Sequence, residues 1–154
     1  MSKNLEIYTD GSSLGNPGPG GFGVVVLENS KIIKEIGGGE KDTTNNRMEL
    51  SGAIHALKYL SKTDFNKCEI FADSSYVLGG VTTWIHGWEK NGWRTANKKP
   101  VLNQDLWKEL VLLDRQLAGK ITWSKVKGHS GHVHNDRADE IATSRAREYN
   151  KNLK

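Results

Sequence analysis

The order of hydrophobic patterns along the chain constrains its fold more than any other feature of the sequence. Segments that alternate apolar and polar residues, as β-strands do, come first, and segments with helical spacing follow. The predicted strands cover residues 5–10, 22–28, 31–39, 66–72 and 120–127. The first three have connections short enough for antiparallel pairing, whereas the last two follow helices and should run parallel to the first. We therefore expect an α/β fold with a mixed five-stranded sheet flanked by helices.

Helical patterns separate the later strands. An apolar stripe from Leu50 to Leu60 predicts the first helix, and short helices are expected at 74–80 and 84–90. Asn103 is expected to cap a further helix that Gly119 ends, and 135–149 forms the last one. Residues 15–21 are rich in glycine and proline and should form a loop. A strand follows this loop where a dinucleotide-binding motif would need a helix, which excludes that class of site.

Length and composition favour one domain, residues 1–154, whose last residues, about 150–154, form a frayed tail. A single cysteine, Cys68, excludes an internal disulfide. No apolar run reaches the length of a membrane span, and the first residues lack the apolar core of a signal peptide. A cytoplasmic location is expected. The net charge of +4 permits a polyanionic partner but is weak support for one.

Four acidic residues lie where elements of this fold begin or end. Asp10 ends the first strand, Asp73 ends the fourth, Glu49 lies in the first turns of a helix, and Asp139 lies in the last helix. Each has an ordinary alternative: Asp10 can open a turn, Asp73 can cap a helix, and Asp139 can suit the helix dipole. Glu49 can complete a capping box with Asn46.

Taken together, the four acids favour a metal site. Carboxylates that converge without a basic partner repel one another unless a cation neutralises them. Oxygen ligands of this kind select Mg²⁺ or Mn²⁺, and two such ions can clamp an in-line phosphoryl displacement. A zinc site built from His129, His132 and His134 is disfavoured because no cysteine lies near them and the acids prefer harder ions.

Several long motifs in the chain occur in the order seen in one enzyme family. They are Thr9-Asp10-Gly11-Ser12 with the glycine-proline run 15–21, Thr43-Thr44-Asn45-Asn46-Arg47-Met48-Glu49-Leu50, Asp73-Ser74, Thr95-Ala96 with Lys98-Lys99-Pro100, Val126-Lys127-Gly128-His129, and Asp139-Glu140. Over nearly its whole length the chain thus resembles bacterial type 1 ribonuclease H. The resemblance implies a ribonuclease H-like fold and endonucleolytic cleavage of the RNA strand of RNA–DNA hybrids, leaving 3′-hydroxyl and 5′-phosphate ends.

The resemblance also assigns roles to residues. Asp10, Glu49, Asp73 and Asp139 correspond to ligands of Mg²⁺, with two ions when substrate is bound and Mn²⁺ as a substitute. His129 corresponds to a residue that aids proton transfer or product release. The residues expected to contact the hybrid are Gly11, Ser13, Asn16, Asn45, Asn46, Trp84, Trp88, Lys90, Trp93, Arg94, Lys98 and Lys99. A monomer with no obligate protein partner and no membrane contact is expected.

Two of these assignments have structural alternatives. Asn45 and Asn46 can cap the first helix, and Trp84 and Trp88, four residues apart, can pack on Trp107 as a small second core. Tryptophans among cations also suit a nucleic-acid strand, and in the family this region is a basic protrusion on the DNA strand.

The chain departs from the family pattern at a few positions. Ser75 and Gly79 replace usual glutamines, Glu89 and Leu102 replace residues that are often basic, and Ser13 replaces a frequent cysteine. None of these positions is one of the four acids, so affinity and site preference are affected rather than activity. A hybrid-binding module without activity and a related two-metal enzyme acting on DNA are the alternatives. The four acids disfavour the first, and the short chain with its family-type loops disfavours the second.

Overall fold

The fold is a five-stranded mixed sheet with helices on both faces, as the sequence predicts. The structure, a computed structural model, describes residues 3–126 and 132–151. The strands are β1 (Asn4–Ser13), β2 (Gly18–Glu28), β3 (Lys31–Thr43), β4 (Lys67–Ala72) and β5 (Ile121–Lys125). Their order in the sheet is β3-β2-β1-β4-β5, with antiparallel pairing of β1, β2 and β3 and parallel pairing of β4 and β5 to β1.

The helices are α1 (Asn45–Ser61), α2 (Ser75–Gly79), α3 (Ile85–Lys90), α4 (Gln104–Gln116) and α5 (Val133–Lys151). The sequence predicted a break between the second and third helices, which was wrong, because a π-helical turn, Gly80–Trp84, joins α2 directly to α3. The first three strands extend further than predicted, so that residues 18–21 belong to β2 and not to a loop. The last helix begins at Val133, two residues before its predicted start. No helix in the described residues is both long and apolar enough to span a membrane.

Apolar residues are buried on both faces of the sheet. Ile7, Val24 and Ile70 face α1 and α4 and belong to the larger of the two clusters of buried residues. Tyr8 and Val25 face α5 on the other side. Because β1 lies in the middle of the sheet and is covered on both faces, its carboxyl end is held by packing from two directions. Rigid elements of this kind can hold functional groups accurately.

The tight turn between β2 and β3 follows the sequence prediction. Asn29 and Ser30 both adopt left-handed backbone conformations, with φ of 52° and 67°. A two-residue hairpin turn with positive φ at both positions matches the right-handed twist of the strands that it joins. The register that follows places Gly23 of β2 opposite Asp10 of β1.

Close packing between β2 and α5 depends on glycine. A Cβ atom at Gly23 would overlap the carbonyl oxygen of Ala138 and lie 2.8 Å from the Cβ of Ile141. Gly21 is in the same position toward Ala142, one helical turn later. The absence of side chains at these positions lets the α5 backbone lie against the strand, which places Asp139 next to the sheet.

We predict that Gly23→Ala destabilises the fold because the added methyl group must displace helix backbone. Overpacking of this kind costs about 1–3 kcal/mol of the free energy of unfolding, and urea denaturation would measure it. Gly87→Ala is the matched control, because nothing lies within 4 Å of a Cβ at that helical position. The control should be neutral or stabilised by about 0.5–1 kcal/mol. Equal stability of the two variants would contradict the packing argument.

Candidate active site

The carboxyl end of β1 brings two acidic side chains to one backbone donor. The amide N–H of Gly11 donates to Asp10 Oδ1 and to Glu49 Oε1, each at 2.9 Å. A Cβ atom at position 11 would overlap the backbone of Met48 and Glu49. Only glycine therefore lets α1 approach closely enough for Glu49 to reach this amide.

Glu49 does not take part in capping α1, which was the alternative to a role in the site. The N-cap of α1 is Thr44, whose side chain accepts a hydrogen bond from Arg47 N at 3.2 Å. The capping box predicted from Asn46 and Glu49 does not form, and Glu49 binds the end of β1 instead. Asn45 and Asn46 are the first residues inside the helix, so capping does not explain them either.

Asp73 lies beside Asp10 at the same end of the sheet. Thr9 pairs with Ala72 in the parallel ladder, so the residues that follow them, Asp10 and Asp73, are neighbours. Asp73 does not cap α2, because Ser74 takes that position and accepts from Val77 N at 3.2 Å. The carboxylate of Asp73 is thus exposed and remains available for another role.

Electrostatics indicate that the acids are crowded. Burial raises the pKa of Asp10, and the carboxylate of Asp139 raises it further. Burial also raises the pKa of Glu49, to which the charges of Asp10 and Asp73 add. Each of the four acids therefore acts on at least one of the others.

The four carboxylates are neighbours without being tightly gathered. Within residues 3–126 and 132–151, no three Asp, Glu, His or Cys side chains come close enough to form a ready-made metal site. Like charges oppose closer approach, and the pKa of both Asp10 and Glu49 is raised by burial first and further by neighbouring acids. That the four acids bind metal ions together therefore stays a prediction. His129, the predicted proton-transfer residue, lies outside the described residues.

Three residues predicted to contact substrate form one polar cluster next to this site. The side-chain oxygen of Asn45 accepts from Ser13 N at 2.7 Å and from Ser13 Oγ at 3.1 Å. Asn16 Oδ1 in turn accepts from Asn45 N at 3.3 Å. The cluster joins the end of β1 and the following loop to the start of α1. Asn46 is exposed beside it.

The tryptophans predicted to bind a strand are partly structural. Trp88 packs edge-on against the fully buried Trp107, with 5.3 Å between ring centroids, and its ring centroid lies 6.1 Å from that of Trp93. Trp84 contacts Trp88 but keeps 43% of its surface exposed. Trp88 therefore packs on Trp107 as the alternative stated, but Trp107 belongs to the main core and not to a second one. Trp84 remains accessible.

The cations of this segment lie on the surface. Lys90, Arg94, Lys98 and Lys99 are all exposed, and Arg94 Nη1 donates to the carbonyl oxygen of Lys98 at 3.1 Å, which closes the tip of the segment. Glu89, the acidic residue of this segment, pairs with Arg115 of α4.

One residue missed by sequence reasoning supports the site from a distance. Arg47 binds Asp105 through two hydrogen bonds of 3.0 and 2.8 Å and donates to Asn103 Oδ1 at 3.2 Å. Asn103 does not cap α4 with its side chain, because its backbone is left-handed, with φ of 62°. It donates to the hydroxyl of Tyr76 at 3.1 Å instead. The start of α1 is thereby tied to α2 and α4.

Comparison with known proteins places these features in a family. The chain matches the RNase H family model over residues 2–147. Ribonuclease H of Mesorhizobium japonicum is 54% identical over 142 residues, which cover 92% of this chain and 77% of that protein.

Two solved structures share the fold. LC9-RNase H1, a type 1 RNase H with the type 2 active-site motif, superposes with a TM-score of 0.77 at 30% identity, over 97% of this chain and 74% of that one. LC11-RNase H1, solved in complex with RNA/DNA hybrid, superposes with a TM-score of 0.70 at 24% identity, over 94% of this chain and 97% of that one. The match to the family model over residues 2–147 and the 54% identity to the Mesorhizobium enzyme confirm the resemblance drawn from the sequence motifs, and the chain therefore belongs to the ribonuclease H family.

Proposed function

We propose that this chain hydrolyses the RNA strand of RNA–DNA hybrids at the carboxyl end of β1, leaving 3′-hydroxyl and 5′-phosphate ends. The observation that carries the proposal is the shared amide of Gly11, which holds Asp10 and Glu49 together beside Asp73. Membership of the ribonuclease H family supports the same reaction, and a relative of this fold, LC11-RNase H1, was solved with RNA/DNA hybrid bound.

The donor set fits Mg²⁺. Asp10, Glu49, Asp73 and Asp139 offer only carboxylate oxygens, which hard divalent cations prefer. Burial, and after it the charges of neighbouring acids, raises the pKa of Asp10 and Glu49, and a cation among them would offset both effects. Two Mg²⁺ ions held there, or Mn²⁺ in their place, would supply Lewis-acid polarisation of the phosphodiester and stabilise its leaving oxygen.

The remaining residues bind and orient the substrate. Ser13, Asn16 and Asn45 present amide and hydroxyl groups next to the acids, where they would meet 2′-hydroxyl groups in the wide minor groove of a hybrid. The exposed face of Trp84 and the cations of residues 90–99 would contact the DNA strand. His129 would hold or move a proton during turnover. A monomeric state and a cytoplasmic location stay predictions from the sequence.

A panel of labelled duplexes tests the function. RNA–DNA, RNA–RNA and DNA–DNA duplexes are incubated with Mg²⁺ or with EDTA, and the products are resolved by length. We expect cleavage of the RNA strand in the RNA–DNA duplex with Mg²⁺ only. Binding of the hybrid without cleavage would indicate a binding module, and cleavage of the DNA duplex would indicate a related two-metal enzyme acting on DNA.

We predict that Asp10→Asn lowers the cleavage rate by more than about a hundredfold, beyond the 10–100-fold typical of a residue that only supports a ligand. Hybrid binding measured in EDTA should survive, because the change deletes a shared charge and not a substrate contact. Metal-free thermal stability should stay equal or rise, since Asp10 and Glu49 no longer repel.

The matched control for this variant is Asp64→Asn, which removes an exposed acid at the other end of the sheet. Its cleavage rate should equal that of the parent. Equal turnover by Asp10→Asn and the parent at saturating Mg²⁺ would show that Asp10 is not part of the active site.

We predict that His129→Ala slows turnover but leaves measurable cleavage, because water can replace a proton carrier. The loss should be near the lower end, about 10²-fold, of the range for general acid–base assistance. Single-turnover and steady-state rates measured together would separate chemistry from product release. A variant as inactive as Asp10→Asn would mean that His129 has a structural or ligand role.

The Glu89–Arg115 pair generates a prediction about salt dependence. Glu89→Lys should lower KM and steepen the dependence of KM on salt, with little change in kcat, because it adds a cation and frees Arg115 far from the carboxylates. Arg115→Gln should raise KM, since it leaves the charge of Glu89 unmasked near the DNA strand. Salt curves of both variants that superimpose on the parent curve would show that this surface does not meet the substrate.

A further inference from the structure

A lysine that the sequence analysis did not single out lies at the same end of the sheet as the acids. Lys125 is the last residue of β5, and its register partner in β4 is Ala72, the residue before Asp73. The next amide in the chain, Val126 N, donates to the carbonyl oxygen of Ala72 at 3.1 Å. The position of Lys125 is therefore fixed by the parallel ladder and not by a loop.

The side chain of Lys125 reaches the start of α2. Its ammonium Nζ donates to Ser75 Oγ at 2.8 Å. Ser75 lies two residues after Asp73 and is itself exposed. An ammonium group has three N–H donors, so two of them remain for other acceptors.

Lys125 forms no ion pair with another described residue. Lys58, by comparison, pairs with Glu109 at 3.0 Å, whereas Lys125 has no carboxylate partner within 4.0 Å among the residues that the structure describes. It is an exposed cation at an end of the sheet where acids accumulate. A polyanion approaching those acids would be repelled, and a fixed cation beside them would offset part of that repulsion.

We propose that Lys125 is a substrate-binding residue that contacts a phosphate of the RNA strand flanking the scissile one, with Ser75 orienting the ammonium group. The proposal rests on the proposed function, because it takes the hybrid as ligand and the carboxylates as the place of cleavage. Asp73, which follows β4, and Lys125, which ends β5, would then lie at adjacent phosphates of the RNA strand.

The experiment measures binding of a fluorescent RNA–DNA hybrid in EDTA across a series of salt concentrations. One lost phosphate contact should reduce the slope of log binding constant against log salt concentration by about 0.7–0.9 in magnitude. If parent and variant bind equally at about 1 M salt, the variant should bind about five- to eightfold more weakly at about 0.1 M salt. We expect this loss for Lys125→Gln, and retention of the parent slope for Lys125→Arg, which keeps the charge. Thermal denaturation of both variants verifies that they fold.

Lys67→Gln is the matched control. Lys67 is an exposed lysine at the amino end of β4, where the same loss of charge occurs at the opposite end of the sheet. Its salt slope should equal that of the parent. A slope reduced equally by both variants would assign the effect to net charge and overturn a specific contact.

A second measurement locates the contact. Hybrids in which one RNA-strand phosphate at a time is replaced by an uncharged methylphosphonate are bound to the parent and to Lys125→Gln. Neutralising the contacted phosphate should weaken the parent about five- to eightfold and leave Lys125→Gln unchanged. The same penalty in both proteins at every position would overturn the proposal.

Failure of this inference and failure of the proposed function are distinguishable. A parent that cleaves hybrids while Lys125→Gln binds them with an identical salt curve would overturn only the role of Lys125. A variant that needs more Mg²⁺ but binds hybrid in EDTA as the parent does would also overturn it, in favour of an effect on the carboxylates. A parent that neither binds nor cleaves the hybrid would overturn both.

Discussion

The contact between the end of β1 and the first turns of α1 is the constraint on which the site depends. Gly11 has no side chain, so the α1 backbone comes close enough for one amide to serve both Asp10 and Glu49. Keeping two carboxylates in this place is costly, because burial raises the pKa of each and neighbouring acids raise it further. The fold must therefore supply stability elsewhere to keep them together.

Much of the fold could be predicted because it follows from the spacing of apolar residues. The alternation around Ile7 and the helical stripe from Leu50 to Leu60 are local patterns, and both elements form as expected. The parallel course of β4 and β5 follows from the length of their connections. Asp10 and Asp73 then had to lie side by side, because both follow the last pair of the β1–β4 ladder, Thr9 and Ala72. The prediction that Asp10 ends its strand was wrong, because β1 continues to Ser13 through its pairing with β2.

The features that were predicted wrongly depend on contacts between distant parts of the chain. Local sequence offers several cap residues in a row, and only tertiary packing decides that Thr44 caps α1 and leaves Glu49 for Gly11. The π-helical turn begins at Gly80, where a Cβ atom would overlap the ring of Trp107, so that this turn packs against a residue distant in the chain. A long-range contact also decides the partner of Glu89, which is Arg115, 26 residues away along the chain.

A hydrogen-bonded chain from α1 to the core explains how the crowded acids are supported. Arg47, two residues before Glu49, binds Asp105 and Asn103, and Asn103 binds the hydroxyl of Tyr76. The indole N–H of Trp107 donates to the same hydroxyl at 3.0 Å, and that tryptophan is fully buried. An exposed ion pair alone adds about 0–1 kcal/mol, but a buried donor left without its acceptor costs about 1–3 kcal/mol. The buried hydrogen bond thus fixes Tyr76 in the core, and Asn103 and Arg47 link it to the start of α1, the helix that carries Glu49.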